Sequence, residues 1–161
     1  MKSLIIYSSK TGNTRKLAEA VCDFLPGETI VKPAMDNPSQ EGYDLVVICF
    51  WLQGGKPDPN SAKVLEKSTG KIFLLATHGA AADSVHAAGA MAAARELAGS
   101  ADVVGEFNCQ GEVNPDFLKK AAAKKPQPPW VQDAADAVGH PDANDIAELK
   151  KVLLEAVSSI S

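Results

Sequence analysis

The sequence predicts an α/β domain built on a five-stranded parallel sheet. Three observations carry this. Five short, β-rich runs alternate with helical patterns between Ser3 and Phe107, the mark of successive βα units. Most of those runs are almost continuously apolar, as strands covered on both faces must be. The chain has 161 residues, 45% of them hydrophobic, which suits one domain over residues 1–161 with one core. Crossovers between the parallel strands are then right-handed.

The elements follow in order. Residues 3–7 form the first strand. From Thr14, residues Leu17, Ala18, Val21, Cys22 and Leu25 recur at helical spacing, and Pro26-Gly27 ends that helix. Residues 28–31 make a short second strand, and Asp36-Asn37-Pro38-Ser39 a turn cluster. Residues 44–50 (DLVVICF) are the most apolar strand. They open into a loop over 51–60, and a short helix follows through 62–66. Residues 71–76 (KIFLLA) form the fourth strand, 77–84 a small-residue loop and 85–97 an alanine-rich helix. Residues 103–107 form the fifth strand, which ends at Asn108-Cys109-Gln110-Gly111. The remainder, about 120–161, is an extended, proline-containing segment of the same domain. A short helix over 115–125 leads to an irregular stretch over 126–142. There Asp142 to Asn144 can cap a final helix with the stripe Ile146, Leu149, Val152, Leu153 and Val157.

Charge and composition exclude several functions. Net charge is -4, with residues 1–99 balanced and the excess acid in 100–161. No basic patch of the kind nucleic acid requires is present. No apolar run approaches the roughly 20 residues that span a bilayer. The first residues enter a strand pattern directly, without the apolar core and cleavage site of a signal peptide. A cytoplasmic protein with neither nucleic acid nor membrane as partner is expected. The three cysteines, Cys22, Cys49 and Cys109, are scattered and unpaired in spacing, so reduced thiols are expected rather than a disulfide or zinc site. No metal site is expected. His78 and His86 lie eight residues apart, which is no metal-ligand spacing.

The chemistry is concentrated in loops. Ser8-Ser9-Lys10-Thr11-Gly12-Asn13-Thr14 lies between the first strand and a helix N-terminus. Unpaired amides and the helix dipole there favour an anion. Hydroxyls of Ser8, Ser9, Thr11 and Thr14 can add donors, and Gly12 lets the backbone approach closely. The GxxxxGK[ST] phosphate loop and the GxGxxG dinucleotide loop are both missing. A held phosphate monoester, as on a cofactor, fits this donor set; an ordinary capped turn is the plain alternative.

Ser9-Lys10-Thr11-Gly12-Asn13-Thr14 directly after a first strand resembles the phosphate loop of flavodoxins and flavodoxin-like proteins. The strand and helix alternation over residues 1–120 is similar to the same fold. The resemblance implies a three-layer sandwich with strand order 2-1-3-4-5 and FMN as cofactor, at the strand ends beside the topological switch. Trp51-Leu52-Gln53-Gly54-Gly55 then corresponds to the first loop around the flavin ring. Trp51 is the candidate for stacking on that ring, a core tryptophan being the alternative. Gln53, Gly54 and Gly55 are candidates for backbone contact with flavin N5. In flavodoxins a peptide here flips on reduction, and two glycines permit that.

His78 and Gly79, after the fourth strand, flank the ring in this scheme, or His78 is a surface or cap histidine. Asn108, Cys109, Gln110 and Gly111 reach its pyrimidine edge, or form a plain turn. Many flavodoxins cover the outer ring face with a tyrosine. The two tyrosines here, Tyr7 and Tyr43, fall elsewhere, so that face has no obvious aromatic cover. The tail resembles that of a subgroup of bacterial flavodoxin-like proteins. Trp130, after Pro126-Gln127-Pro128-Pro129, can arch over the flavin, meet a partner or pin its own loop. No catalytic acid or base is expected.

The resulting expectation is an FMN electron-transfer protein whose partner is a redox protein or a small molecule. An FMN-dependent NAD(P)H or small-molecule oxidoreductase, and an accessory module for a partner enzyme, are the alternatives.

Overall fold

The computed structural model describes residues 1–160. Its strands and helices run β1 (Lys2–Tyr7), α1 (Asn13–Phe24), β2 (Glu28–Pro33), β3 (Leu45–Gln53), β4 (Lys56–Pro57), α2 (Pro59–Glu66), β5 (Lys71–His78), α3 (Val85–Leu97), β6 (Asp102–Gln110), α4 (Pro115–Ala122) and α5 (Ala143–Ile160). Two 3-10 turns, Ala34–Asp36 and Pro129–Asp133, complete it. The main sheet has the order β2-β1-β3-β5-β6, with every neighbouring pair parallel. The two-residue β4 only folds back, antiparallel, on the end of β3. With β4 set aside, this is the expected order 2-1-3-4-5.

Strand alternation divides the core into two layers. Ile5, Val47, Cys49, Phe73, Leu75 and Cys109 face α1 and α5, against Leu17, Val21, Leu149 and Leu153. Leu4, Ile6, Ile48, Phe50 and Leu74 face the other way, against Val64 and Leu65 of α2 and Met91 and Ala94 of α3. Both faces of the central strands are therefore dry, and the continuous apolar runs follow from that. Gly105 in β6 permits close packing: a Cβ there would lie 2.9 Å from the Phe73 ring and 3.0 Å from the Ala156 methyl.

Most helix starts carry local caps. The Asp58 carboxylate accepts from the Ser61 amide, with Pro59 in the first turn. Ser84 accepts from Ala87 N–H, and Asn114 from Asp116 and Phe117 N–H. At α5 the Asp142 carboxylate accepts from Asn144 and Asp145 N–H.

Four strands run further than the sequence reading placed them: β2 continues past Val31 to Pro33, and three others extend toward one edge of the sheet. β3 continues through Gln53, so Trp51 and Leu52 are strand residues rather than loop residues. β5 takes in Thr77 and His78, and β6 takes in Asn108, Cys109 and Gln110. Ladder pairs Trp51–Thr77 and His78–Gln110 extend them. At β5 and β6 polar side chains hid this, because backbone pairing continues past the apolar run; at β3 the glycines and prolines over 54–59 made Trp51 and Leu52 read as part of the loop. Conversely, α4 stops at Ala122 rather than 125.

Candidate functional site

The extended ends of β3, β5 and β6 meet the β1–α1 loop at one edge of the sheet. β1 lies between β2 and β3, so the chain leaves it in opposite directions, and a crevice opens at such a point. The crevice is a cleft of about 490 Å³, within the range of small-molecule and cofactor sites.

One end is the N-terminus of α1. Its cap residue, Gly12, has φ +97°, and among the described residues no side chain caps the helix. The other four described α-helices each have such a cap, whereas α1 leaves its first-turn amides for another acceptor. The Ser9 hydroxyl shapes the loop by accepting from Gly12 N–H at 3.1 Å. The Ser8 amide donates to the Cys49 carbonyl at 2.9 Å, which fixes where the loop leaves the sheet. No atom lies within 4 Å of a Cβ built on Gly12. Here it is the positive φ, not crowding, that favours glycine.

The other end is aromatic. Trp51 lines the cleft together with Phe117 and Trp130. Phe117 and Trp130 are stacked, with centroids 5.8 Å apart and planes within 1°. The Lys10 ammonium lies over two rings, 5.5 Å from the centre of Trp51 and 5.8 Å from that of Phe117. Trp130 also packs beside Gly79, where a Cβ would lie 3.1 Å from its ring and 2.7 Å from the Val113 side chain. Gly54 and Gly55, at φ +61° and +75°, turn the β3–β4 hairpin at the rim. The His86 ring sits 3.3 Å from a Cβ built on Gly55.

The floor is a polar network. Thr14 and Thr77 hydroxyls are buried and 2.8 Å apart, joining α1 to β5. The Asn13 side-chain amide donates to the Glu112 carbonyl at 3.0 Å, and Gly111 leaves the room this requires, since a Cβ there would come within 2.7 Å of Asn13 Nδ2. His78 is buried, with Nδ1 3.0 Å from the Ala80 carbonyl and Nε2 2.8 Å from Asn108 Oδ1. Burial lowers its pKa below the usual histidine value, against the opposing pull of its bonds to Asn108 and Ala80. The Gln110 amide donates to the carbonyls of Gly79 and Asp133, tying the β5 loop to the 3-10 turn that carries Trp130.

Of the residues singled out from sequence, Lys10, Thr11, Asn13, Thr14, Trp51, Leu52, Gly54, Gly55, His78, Gly79 and Gly111 line the cleft together. Ser8, Ser9 and Gly12 shape its loop from behind. Gln53 is exposed at the end of β3. Asn108 and Gln110 hold His78 and the Gly79 loop instead of lining the cavity. Cys109 is turned the other way, 3% exposed in the core beneath α5. Burial and the nearby acids Asp145 and Asp142 push its thiol pKa well up, so it is an inert packing residue.

The cleft also takes in Thr77, from the loop expected to flank the ring, and His86, Val113, Phe117 and Lys120, which the sequence reading did not place in the site. Phe117 is 52% exposed and so not explained by the core, but that exposure is visible only in the structure.

Comparison with known proteins agrees with this fold. A family model described as a flavodoxin domain matches residues 4–154. The flavodoxin-like domain-containing protein BilS of Clostridioides difficile (strain CD3) is 29% identical over 161 residues, covering 92% of each chain. A short-chain flavodoxin associated with a non-canonical PDU bacterial microcompartment has a similar fold, with a TM-score of 0.61 at 13% identity over the whole of both chains. A flavoprotein from Lactobacillus acidophilus NCFM, solved in complex with FMN, aligns with a TM-score of 0.55 at 19% identity, covering 66% of this chain and 92% of that one.

Proposed function

Because the chain belongs to the flavodoxin domain family, we propose that its cleft binds FMN and that the protein passes electrons to a redox partner. One observation carries the reading. The same cleft joins an uncapped helix N-terminus to a set of aromatic walls, and FMN has a phosphate monoester at one end and a flat ring at the other.

The residues present fit that group. Amides at the start of α1 and the Thr11 and Thr14 hydroxyls would receive the phosphate. Trp51 and the Phe117–Trp130 pair offer apolar faces for the ring. Gly54 and Gly55 leave the hairpin backbone free to approach it. Bound FMN would supply the one- and two-electron chemistry.

This chain's own part is to bind, orient and exclude water. The Thr14–Thr77 and Asn13–Glu112 bonds hold the phosphate end rigid against the sheet. The Gln110 bridge to Gly79 and Asp133 holds the aromatic end. The Phe117–Trp130 pair favours a carrier over an open-faced reductase, because it supplies aromatic cover despite the absence of a tyrosine.

Titration of FMN into flavin-free protein tests the binding, with flavin fluorescence as the readout. Anaerobic NAD(P)H, added without any partner, then tests the role. A carrier keeps its yellow colour, whereas a stand-alone reductase is bleached. Failure to bind FMN would remove both readings and leave a partner-binding module.

A further inference from the structure

We propose that Lys10 sets how much more tightly the cleft holds reduced FMN than oxidised FMN; this rests on the FMN reading above. Lys10 is the cation of the β1–α1 loop whose ammonium lies over both Trp51 and Phe117. Its backbone is fixed from both sides, by the Ser8 amide on the Cys49 carbonyl and by the Gly12 amide on the Ser9 hydroxyl. The side chain is thus tethered at the cleft and reaches from the anion-binding end to the aromatic end. The other charged side chains lining the cleft are Lys120, Glu112 and Asp116. Their formal charges leave one net negative, so without Lys10 the lining would oppose added negative charge.

The ring faces of Trp51 and Phe117 carry negative quadrupole density, which holds a cation between them. A flat aromatic ring would take over those faces. Lys10, bound by its tether, would stay at the edge of the slot. Reduction of FMN takes up two electrons and one proton to give the anionic reduced ring, which has one more negative charge than the oxidised form. A cation beside the ring therefore favours the reduced form specifically. A cation on the phosphate would act on both forms alike, because the phosphate does not change charge with oxidation state. The two placements share one chemistry, anion stabilisation, and differ in this respect alone.

Lys10→Met and Lys10→Arg proteins are titrated with FMN and with riboflavin, oxidised in air and reduced with dithionite under nitrogen. For Lys10→Met, affinity for reduced FMN falls about tenfold, as expected for one charge lost at short range in a partly solvated site. Oxidised FMN binding changes by less than about threefold, a small part of that effect. The reduced-to-oxidised affinity ratio falls similarly for riboflavin, and Lys10→Arg retains the wild-type ratio. Equal losses in both oxidation states, a loss confined to FMN with riboflavin unaffected, or an unchanged ratio would each overturn the proposal. Wild-type protein that binds no flavin would instead overturn the FMN reading itself.

Discussion

Gly111 shows how much a single position can hold in place. A methyl there meets the Asn13 side chain at 2.7 Å, and that side chain is the tie between the phosphate loop and the end of β6. Gly111→Ala is expected to cost roughly 1–3 kcal/mol by overpacking and by the lost hydrogen bond, measured by urea unfolding. Trp51→Ala removes one ring wall and should weaken FMN binding about tenfold or more, measured by fluorescence titration.

His78 makes stability depend on pH. The Ala80 carbonyl can only accept, so Nδ1 carries the proton. That bond and the contact of Nε2 with Asn108 anchor the ring in place. The folded-state pKa lies below the unfolded value of about 6.5. Above that pH both states are neutral and the residue adds no slope. As pH falls through about 6.5, the unfolded chain takes up a proton that the folded protein refuses, so stability declines toward the folded pKa. Urea unfolding between pH 8 and 5 should show the decline, and His78→Gln should flatten it.

At the scale of elements, the β3–β4 hairpin and the 3-10 turn Pro129–Asp133 shape the ring end. Gly54 and Gly55 both hold positive φ, so Gly54→Val should destabilise the hairpin by about 1–2 kcal/mol and shift the potentials of bound flavin. Unchanged potentials would show that the hairpin does not touch the ring. The five main strands and α1, α3 and α5 were legible in the sequence, most clearly the central strands β1, β3 and β5, which are dry on both faces. The ends of β5 and β6 were not, because a backbone ladder runs on beneath polar side chains.

That gap had a consequence at β6. Read as a loop, Asn108, Cys109 and Gln110 are all candidates to reach the ring edge. As strand residues they alternate, which sends Cys109 into the core and Asn108 and Gln110 to His78 and the Gly79 loop. The Phe117–Trp130 stack was beyond sequence reasoning, since it depends on where the segment after β6 folds back. Trp130 alone was marked, by its proline-rich approach.

For the whole molecule, the sheet order puts the β1–α1 loop and the ends of β3, β5 and β6 at one edge, and α5 packs against β6 and α1 on the face behind them. α5 buries Leu149, Leu153, Ala156 and Val157 against β6 and α1. Removing residues 143–161 would expose the face that holds Val47, Cys49, Phe73 and Leu75. The truncated chain should lose cooperative unfolding, which far-UV circular dichroism on heating would reveal. The Lys16 ammonium, which donates to the Pro141 carbonyl, ties the segment leading into α5 to α1, so α5 and α1 are parts of one unit.

The proposed cofactor puts a phosphate at α1 and a flat ring at Trp51. Parallel titrations of flavin-free protein with FMN and riboflavin separate the two ends. Saturable binding of one FMN per chain with altered flavin fluorescence is expected, with at least about tenfold weaker binding of riboflavin, which lacks the phosphate. Equal affinity for both would contradict the phosphate site, and no binding of either would contradict the cofactor.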